Sequence, residues 1–543
     1  MSPAKSISRG ELWLLGAALL AFGLIAVTMV MAAEEDAFIY YRYAWNWAHG
    51  QGLVFNPGDP VEGFSGPLWM AILALVAGAG LDLPRTAPAL GIVAGGATLI
   101  ATWWLTRILG LCRSARLATV ATLAISYPFV VWARSGLETP LYSLALVVAC
   151  AAYLAVEYGE EGSPAGSGLR RLAAVAPLFV CLGRPEGAMF VAVLVADRLA
   201  DSKTGRRDWR GALRYAMPAA VGYGAYVAWR FATFHSLVPN TSVKLYPLLI
   251  ERSGGQFLQY LLFLGALPPV LPLLALLDRR RTGRERRRLG FLVAVVAMVS
   301  FFFNFVAGGD YRPGFRYFVP TLPLLIAAIW YAFDLLAAEK EGARRRVARG
   351  ILALLLALGP LHMLAQSPPQ IRDWRRQVYE RWLDPYSDEN HWGVQIARWM
   401  KANVPPDSVV AFGQMGRIPY FLAHDGHPVT FVDTLGLIDR QVARIYRFDG
   451  KLKDLLRDMR AGRSPREALA LGRRRRAVQL AGTVLARHPD FVMIETALDD
   501  YPMMQALRES AEFRSRYRQS GQLPAAGEPY VRIYTPVRPG APR

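Results

Sequence analysis

Cysteine is scarce in this chain, with 3 residues in a total of 543. All three, Cys112, Cys150 and Cys181, lie in the apolar first two-thirds of the sequence, and none follows residue 366. The polar C-terminal part therefore has no disulfide framework. The sequence also lacks cysteine and histidine pairs at the spacing of a zinc site.

Acidic residues are few relative to basic ones, because 42 Asp and Glu stand against 62 Lys and Arg, a formal net charge of +20. The basic residues are concentrated in short loops between long uncharged blocks, and 53% of all residues are hydrophobic. This distribution is typical of a multi-pass membrane protein, whose positive charge reflects its topology. It predicts contact with a lipid bilayer and no nucleic-acid partner.

Long apolar segments recur along the first two-thirds of the chain, and most can span or nearly span a bilayer of about 30 Å. They cover residues 11–33, 117–133, 139–156, 212–233, 256–277, 289–307, 316–337 and 350–366, with shorter ones at 172–182 and 187–199. Residues 67–106 are apolar but interrupted by prolines. The predicted orientation of the loops is consistent only if these residues cross the membrane an odd number of times. We therefore expect about eleven transmembrane helices.

Arginine-rich loops indicate the orientation of these helices. The loops at 206–214, 278–288 and 339–349 are predicted to be cytoplasmic by the positive-inside rule. The acidic run "EED" at 34–36 and the polar tail then face outward. The apolar run that ends at Ala33 is either a signal peptide or an uncleaved anchor, and its length favours the anchor.

The sequence becomes polar after residue 366. The runs "SVVAF", "PVTFVD", "DFVMIE" and "YVRIYT" have the pattern of short strands, and helix-like segments alternate with them. The predicted domains are a membrane domain at 1–366, with 33–66 as its first outer loop, and an α/β domain outside the membrane at 367–543.

Charged residues on the predicted outer side occur where apolar segments end. The carboxylates are Asp36, Glu62, Glu138, Glu186 and Asp310, and the cations are Arg42, Arg134, Arg184, Lys244, Arg312 and Arg316. If their helices converge, they form one cavity with an acidic and a basic part. Such a cavity suits transfer of a sugar from a lipid phosphate, in which a carboxylate takes a proton and cations stabilise the leaving phosphate.

Several motifs together resemble one superfamily. These are "EEDAFIYYRYAWNWAHGQGLVFNPGDPVEGFSGPLW", "SGLETPLY", "GRPEG", "LVPNTSVKLY", "GGDYRPGFRYFVPTLPLL" and, in the tail, "FGQMGRIPYFLAHDGHPVTFVDTLGLID". They resemble the GT-C membrane glycosyltransferases, and within them the arabinofuranosyltransferase branch. The resemblance implies a GT-C fold, a polyprenyl-phosphate sugar donor and a glycan or glycoprotein acceptor. It also implies inversion at the anomeric carbon and an outward-facing site in a bacterial inner membrane.

The resemblance also implies roles for particular residues. The acidic pair of the first outer loop corresponds to Glu35 and Asp36; we expect Asp36 to be the general base, with Glu35 as the alternative or as a residue that orients it. Residues expected at the donor phosphate are Arg42, Arg184, Lys244, Arg312 and Arg316. Residues expected to position the acceptor or the sugar are Glu62, Glu138, Glu186, Asn240 and Asp310.

Other functions stay open on the sequence alone. A related enzyme can use another lipid-linked sugar and act on protein or lipid A. A flippase or transporter for lipid-linked sugars is a second class, although the internal repeats common in transporters are not evident. A non-catalytic scaffold has no need of five charged outer motifs. Several of the carboxylates could bind a divalent cation, Mg or Ca, but no motif demands it.

Overall fold

The computed structural model describes residues 8–28, 34–159, 165–200, 208–241, 250–307, 309, 314–337, 342–366, 392–446, 448–498, 502–524 and 530–537. Within these ranges, the membrane part is helical and the C-terminal part combines helices with one sheet. The predicted fold class, a helical membrane protein with a C-terminal α/β domain, is confirmed.

Sixteen helices in the described residues form the membrane part. They are α1 (Arg9–Thr28), α2 (Glu35–Ala48), α3 (Pro67–Gly78), α4 (Leu83–Ile108), α5 (Arg113–Ala124), α6 (Tyr127–Arg134), α7 (Thr139–Tyr158), α8 (Ser167–Gly183), α9 (Gly187–Ala200), α10 (Trp209–Phe234), α11 (Ile250–Phe263), α12 (Leu271–Leu277), α13 (Gly283–Val296), α14 (Phe303–Ala307), α15 (Leu322–Leu336) and α16 (Gly342–Gln366).

Five helical units in the described ranges are long and apolar enough to cross a bilayer: α1, α4, α7, α13 with α14, and α15. Two bent pairs, α5 with α6 and α11 with α12, raise the number to seven if each pair is one crossing. Helices α8, α9, α10 and α16 also coincide with predicted apolar segments. The number of about eleven crossings stays a prediction. Residues 67–106 supply one full crossing, α4, because α3 has only 12 residues.

The two bent pairs break where proline occurs. The first pair bends by 55° and the second by 102°. Pro128 lies in the first turn of α6, and Pro268 precedes α12. Proline lacks an amide hydrogen and clashes with the preceding turn, so a continuous helix is disfavoured there. The first break leaves α6 as a short helix directly before the α6–α7 junction, which borders the site described below.

The acidic and the arginine-rich connections between helices lie at opposite ends of the helices. Helix α7 starts at Thr139, next to the acidic junction of Glu138, and ends at Tyr158, whose carbonyl accepts a hydrogen bond from Arg288 at 3.1 Å. At the same end as Tyr158, the carboxylate of Glu157 contacts Arg198 at 2.6 Å. Twenty residues of helix separate the two ends by about 30 Å. The arginine-rich junctions therefore lie opposite the carboxylates predicted to form the site.

The C-terminal part contains a five-stranded sheet. Its strands are β1 (Val409–Phe412), β2 (Thr430–Asp433), β3 (Phe491–Glu495), β4 (Tyr517–Leu523) and β5 (Val531–Pro536), in the order β2-β1-β3-β5-β4. The three strands β2, β1 and β3 are parallel, and β5 and β4 extend the sheet in antiparallel fashion. All four strand-like runs of the sequence are strands, whereas β4 was not predicted.

Seven further helices in the described residues flank this sheet: α17 (Trp392–Asn403), α18 (Arg417–His424), α19 (Arg440–Tyr446), α20 (Phe448–Arg460), α21 (Pro465–Leu485), α22 (Pro502–Glu509) and α23 (Ala511–Arg516). Side chains alternate between the two faces of each strand. Val410 and Phe412 belong to an apolar core that continues into the membrane helices, whereas Ala411 belongs to a separate core on the other face. One face of the sheet is thus packed toward the membrane part.

Candidate active site

The loop that the sequence predicts to be the first outer loop begins with helix α2, and its acids lie in the first turn. Glu35 and Asp36 are the first two residues of the helix, and Glu34 precedes them as the N-cap. Acidic side chains are stabilised at a helix N-terminus by the unpaired amides and the helix dipole. The amide of Glu34 also donates to the carbonyl of Ser135 at 2.9 Å. The acidic turn is therefore held against the α6–α7 junction.

Asp36 pairs with Arg316 across the site. The Oδ2 atom of Asp36 lies 3.3 Å from Nη1 of Arg316, and their side chains are 14% and 13% exposed. The guanidinium lies 5.5 Å from the ring of Trp132. The indole of Trp132 in turn donates to the carbonyl of Gly314 at 2.7 Å. Trp132 thus holds the segment that carries Arg316, and the ion pair is only partly open to water.

Arg184 lies between two carboxylates. Its guanidinium contacts Glu138 at 2.6 Å and also pairs with Glu186, and all three side chains are at most 7% exposed. It lies 5.9 Å from the ring of Tyr317. Because Tyr317 follows Arg316 directly in the chain, this contact places Arg184 near the Asp36–Arg316 pair. The "GRPEG" and "SGLETPLY" motifs therefore meet near the Asp36–Arg316 pair.

Glu35 faces the C-terminal domain instead. Its Oε1 accepts a hydrogen bond from the backbone amide of Arg417 at 2.8 Å, and its Oε2 lies 3.4 Å from Nε of the same residue. The two neighbouring acids therefore have different partners, Arg417 for Glu35 and Arg316 for Asp36.

Arg42 is buried at the contact between the first loop and the C-terminal domain. Its Nε donates to the carbonyl of Phe55 at 2.8 Å, and its terminal nitrogens donate to the carbonyls of Pro419 and Val429. The side chain is 3% exposed. The structure therefore places Arg42 in a structural contact, apart from the Arg184 and Arg316 group, and its predicted contact with phosphate is not supported by this placement.

Glu62 joins the first loop to helix α10. Its carboxylate contacts Nε of Arg230 at 2.6 Å and accepts a hydrogen bond from Tyr226, and both ion-pair side chains are 2% exposed. Burial raises the pKa of Glu62, and the charge of Arg230 opposes that shift. The amide of Asn240 donates to the Glu62 carbonyl at 3.0 Å. These residues close one side of the first loop.

Three predicted site residues, Lys244, Asp310 and Arg312, lie outside the described residues. Arg134 is described and buried, with 5% exposure, at the end of α6. In the part of the chain that the structure describes, no three Asp, Glu, His or Cys side chains come together as a metal site would require. Binding of Mg or Ca by these carboxylates, which no sequence motif demands, stays a prediction.

Sequence reasoning missed Arg230, Arg417 and Trp132. Arg230 had a detectable signal, because it is a charged residue near the end of a long apolar helix, where charge is costly and usually has a partner. Arg417 and Trp132 had none: Arg417 meets Glu35 only through a contact that spans 382 positions of sequence. Such a contact depends on how the two domains dock.

The arrangement can support group transfer at the membrane boundary. A partly buried carboxylate, Asp36, pairs with the cation Arg316, and Arg184 lies near this pair through its contact with Tyr317. A carboxylate in this setting can accept a proton, and the cations can stabilise a developing phosphate charge.

Comparisons with known proteins agree with this architecture. The family described as a domain of unknown function (DUF8728) matches residues 376–534. No curated protein sequence matches the chain. The ArnT of Cupriavidus metallidurans bound to undecaprenyl phosphate has a TM-score of 0.53 and 13% identity, over 97% of this chain and 98% of that chain. The apo form of the same protein has a TM-score of 0.51 and 14% identity, over 98% of this chain and 99% of that chain.

A second solved structure has a similar fold. It is the oligosaccharyltransferase of Archaeoglobus fulgidus tethered with an acceptor peptide, with a TM-score of 0.51 and 11% identity, over 98% of this chain and 74% of that chain. Because the identities are low, these similarities concern the fold. The chain is a multi-pass membrane protein with the GT-C fold and a small C-terminal sheet domain.

Proposed function

We propose that this protein is an integral-membrane glycosyltransferase that transfers a sugar from a polyprenyl-phosphate donor to an acceptor hydroxyl, with Asp36 as the general base. The observation that carries the proposal is the Asp36–Arg316 pair at 3.3 Å beside Arg184. It joins a proton acceptor to the cation that we assign to the donor phosphate, at one end of a GT-C helix bundle.

The reaction then follows from the charges. Asp36 takes the proton of the acceptor hydroxyl while the acceptor oxygen attacks the anomeric carbon of the sugar. The bond between that carbon and the phosphate oxygen breaks, and the lipid phosphate leaves with its electron pair. Arg316 stabilises this charge, and Arg184, which is already paired with Glu138 and Glu186, lies near it. Attack opposite the leaving phosphate inverts the anomeric configuration.

Asp36 is a better candidate for the base than Glu35. Both carboxylate oxygens of Glu35 face Arg417, one toward its backbone amide and one toward its guanidinium. These contacts hold the Glu35 carboxylate against the C-terminal domain, away from Arg316. The Asp36 carboxylate instead lies at the cation that we assign to the donor phosphate.

The proposed donor sugar is arabinofuranose and the proposed acceptor is an extracytoplasmic glycan or glycoprotein. These finer assignments rest on the motifs of the first outer loop and of the tail. The undecaprenyl phosphate in the ArnT structure supports a polyprenyl-phosphate donor. Lys244 and Arg312 are proposed to assist at the phosphate, and Asp310 to position the acceptor.

We also propose that the site and the C-terminal domain face the exterior side of a bacterial inner membrane. The arginine-rich junctions at the opposite end of α7 support this orientation, because cytoplasmic loops carry the excess of Lys and Arg. The alternative within the same reaction type is the transfer of another lipid-linked sugar to protein or lipid A. The similar folds of ArnT and of the Archaeoglobus enzyme tethered with an acceptor peptide support this alternative.

The test uses the full chain, purified and placed in lipid nanodiscs. Polyprenyl-phosphate donors carrying arabinofuranose, a hexose or aminoarabinose are each incubated with a short glycan, an acceptor peptide or lipid A, and products are read by mass spectrometry. We expect the arabinofuranose donor and the glycan to react fastest. Movement of the donors across vesicles without any transfer would show a flippase instead.

A further inference from the structure

Helix α18 of the C-terminal domain begins directly at the acidic turn of the first outer loop. Glu35 has two contacts with one residue: its Oε1 accepts a hydrogen bond from the backbone amide of Arg417 at 2.8 Å, and its Oε2 forms an ion pair with Nε of Arg417 at 3.4 Å. The Arg417 side chain is 5% exposed and that of Glu35 is 15% exposed. A largely buried, doubly contacted carboxylate has little freedom to change its direction.

The same guanidinium also contacts the next turn of α2. Its Cζ atom lies 4.5 Å from the centre of the Phe38 ring. Residues 35 and 38 lie on one face of α2, because side chains three apart in a helix are neighbours. Phe38 also packs edge-on against Tyr420 and Phe421 of α18, each with a centroid distance of 5.6 Å. The first turns of α2 and α18 are thus clamped together.

Gly416 shows how closely the two helices approach. A Cβ atom at this position would lie 2.2 Å from the backbone carbonyl oxygen of Glu35 and 2.4 Å from its Oε1. Real side chains do not come that close to backbone atoms, so only glycine fits without a shift of one helix. This contact is independent of the Arg417 charge.

Fixing Glu35 also fixes the neighbouring side chain. Consecutive residues of a helix point about 100° apart, so a first turn held at Glu35 sets the direction of Asp36. In the structure that direction leads to Arg316. The clamp therefore links a residue of the C-terminal domain to the geometry of the catalytic pair.

We propose that Arg417 is a positioning residue for the transfer reaction: through Glu35 it holds the first turn of α2 so that Asp36 faces Arg316 and the acceptor. This inference rests on the proposed function of Asp36. It gives the C-terminal domain a direct part in catalysis, and it assigns Glu35 to orientation. Arg417 itself contacts neither donor nor acceptor in this account.

The test compares Arg417→Ala and Arg417→Lys with Arg518→Ala, an exposed residue of strand β4 that serves as control. In the full chain we expect Arg417→Ala to lower kcat for transfer by tenfold to a hundredfold, with KM for the lipid donor changed less than threefold. Added guanidinium should restore part of the rate of Arg417→Ala, because the ion can occupy the vacated place beside Glu35. Arg417→Lys should retain more activity than Arg417→Ala, and Arg518→Ala should match wild type.

Hydrogen exchange of the amides in residues 35–42 provides a readout that does not depend on the reaction. We expect faster exchange in Arg417→Ala and in Gly416→Ala than in wild type. Unchanged exchange together with unchanged kcat in Arg417→Ala would overturn the proposal. A loss of kcat that guanidinium does not restore, combined with a large rise in the KM for the donor, would also overturn it. If wild type transfers no sugar from any donor, the proposed function fails, and exchange alone then decides whether Arg417 holds α2.

Discussion

The Nη1 atom of Arg316 lies 3.3 Å from the Oδ2 atom of Asp36, so the proposed phosphate-binding cation and the proposed base contact each other. A donor phosphate that binds Arg316 competes with this carboxylate. Donor binding would then weaken the hold of Arg316 on Asp36 and leave the carboxylate available for the acceptor hydroxyl. The pair thus links donor binding to activation of the base.

This competition predicts the behaviour of Asp36→Asn toward the lipid alone. The amide carries no charge, so undecaprenyl phosphate should bind this variant about two- to fivefold more tightly than wild type, as expected for the loss of a partly exposed ion pair. The measurement is titration of the purified chain with undecaprenyl phosphate by native mass spectrometry. Binding that is tenfold weaker would show that Asp36 does not compete with the phosphate.

Replacing Arg316 should affect the leaving phosphate. In Arg316→Gln, kcat for transfer should fall by about 10²–10³, the usual cost of removing one donor that stabilises developing charge. Arg316→Lys should recover only part of the rate, because an ammonium cannot donate through a planar fork. Steady-state kinetics with a fixed donor measure both variants. Equal rates for Arg316→Gln and wild type would remove this residue from the mechanism.

Arg184 is predicted to be important for stability as well as for catalysis. Arg184→Gln leaves Glu138 and Glu186 buried without their shared cation, which should destabilise the fold by about 3–5 kcal/mol. A triple variant with Gln at all three positions should recover much of this loss, because no buried charge is left unpaired. Chemical unfolding in detergent measures the difference. A triple variant less stable than the single one would contradict the explanation.

The buried carboxyl of Glu495 should make the free energy of unfolding of the C-terminal domain depend on pH. Burial, and next the charge of Glu35, raise its pKa from 4.5 to about 7, while Gln414 donates to its Oε2 at 2.9 Å. A carboxyl group with a raised pKa binds its proton more tightly in the folded state. Its contribution is therefore full below pH 4.5 and is lost as the pH rises through 7.

The Glu495→Gln variant should show a smaller fall of the melting temperature between pH 5 and pH 8 than wild type does. The control is Glu509→Gln, an exposed carboxyl at the end of α22. Differential scanning fluorimetry of the full chain gives the profiles. If Glu495→Gln and wild type have parallel profiles, the carboxyl does not titrate in this window.

Much of the membrane part could be predicted from the sequence. Long apolar runs predict apolar helices, and helices of the described residues fall on the predicted segments even where prolines bend them. The β-like runs of the tail also correspond to strands, because alternating side chains face two cores. The strand β4 was not predicted, because "YRQSGQL" is polar. It lies at the edge of the sheet and pairs with one strand only, so it needs few apolar residues.

The partners of the site residues were harder to predict. Sequence placed Asp36, Arg184 and Arg316 on one side of the membrane, but it could not distinguish Arg316 from Arg42 as a cation near Asp36. Arg42 is six residues from Asp36, yet its guanidinium reaches carbonyls of the C-terminal domain. Contacts between segments hundreds of residues apart depend on docking, which local patterns do not encode.

The most direct test of the account is a single-turnover comparison of wild type with Asp36→Asn, using polyprenyl-phosphate arabinofuranose and a short glycan, with Glu34→Gln as the neighbouring control. We predict transfer by wild type and by Glu34→Gln. Asp36→Asn should bind the donor but transfer about 10²–10⁴ times more slowly, the usual contribution of a general base. Equal transfer by Asp36→Asn and wild type would contradict the assignment of the base.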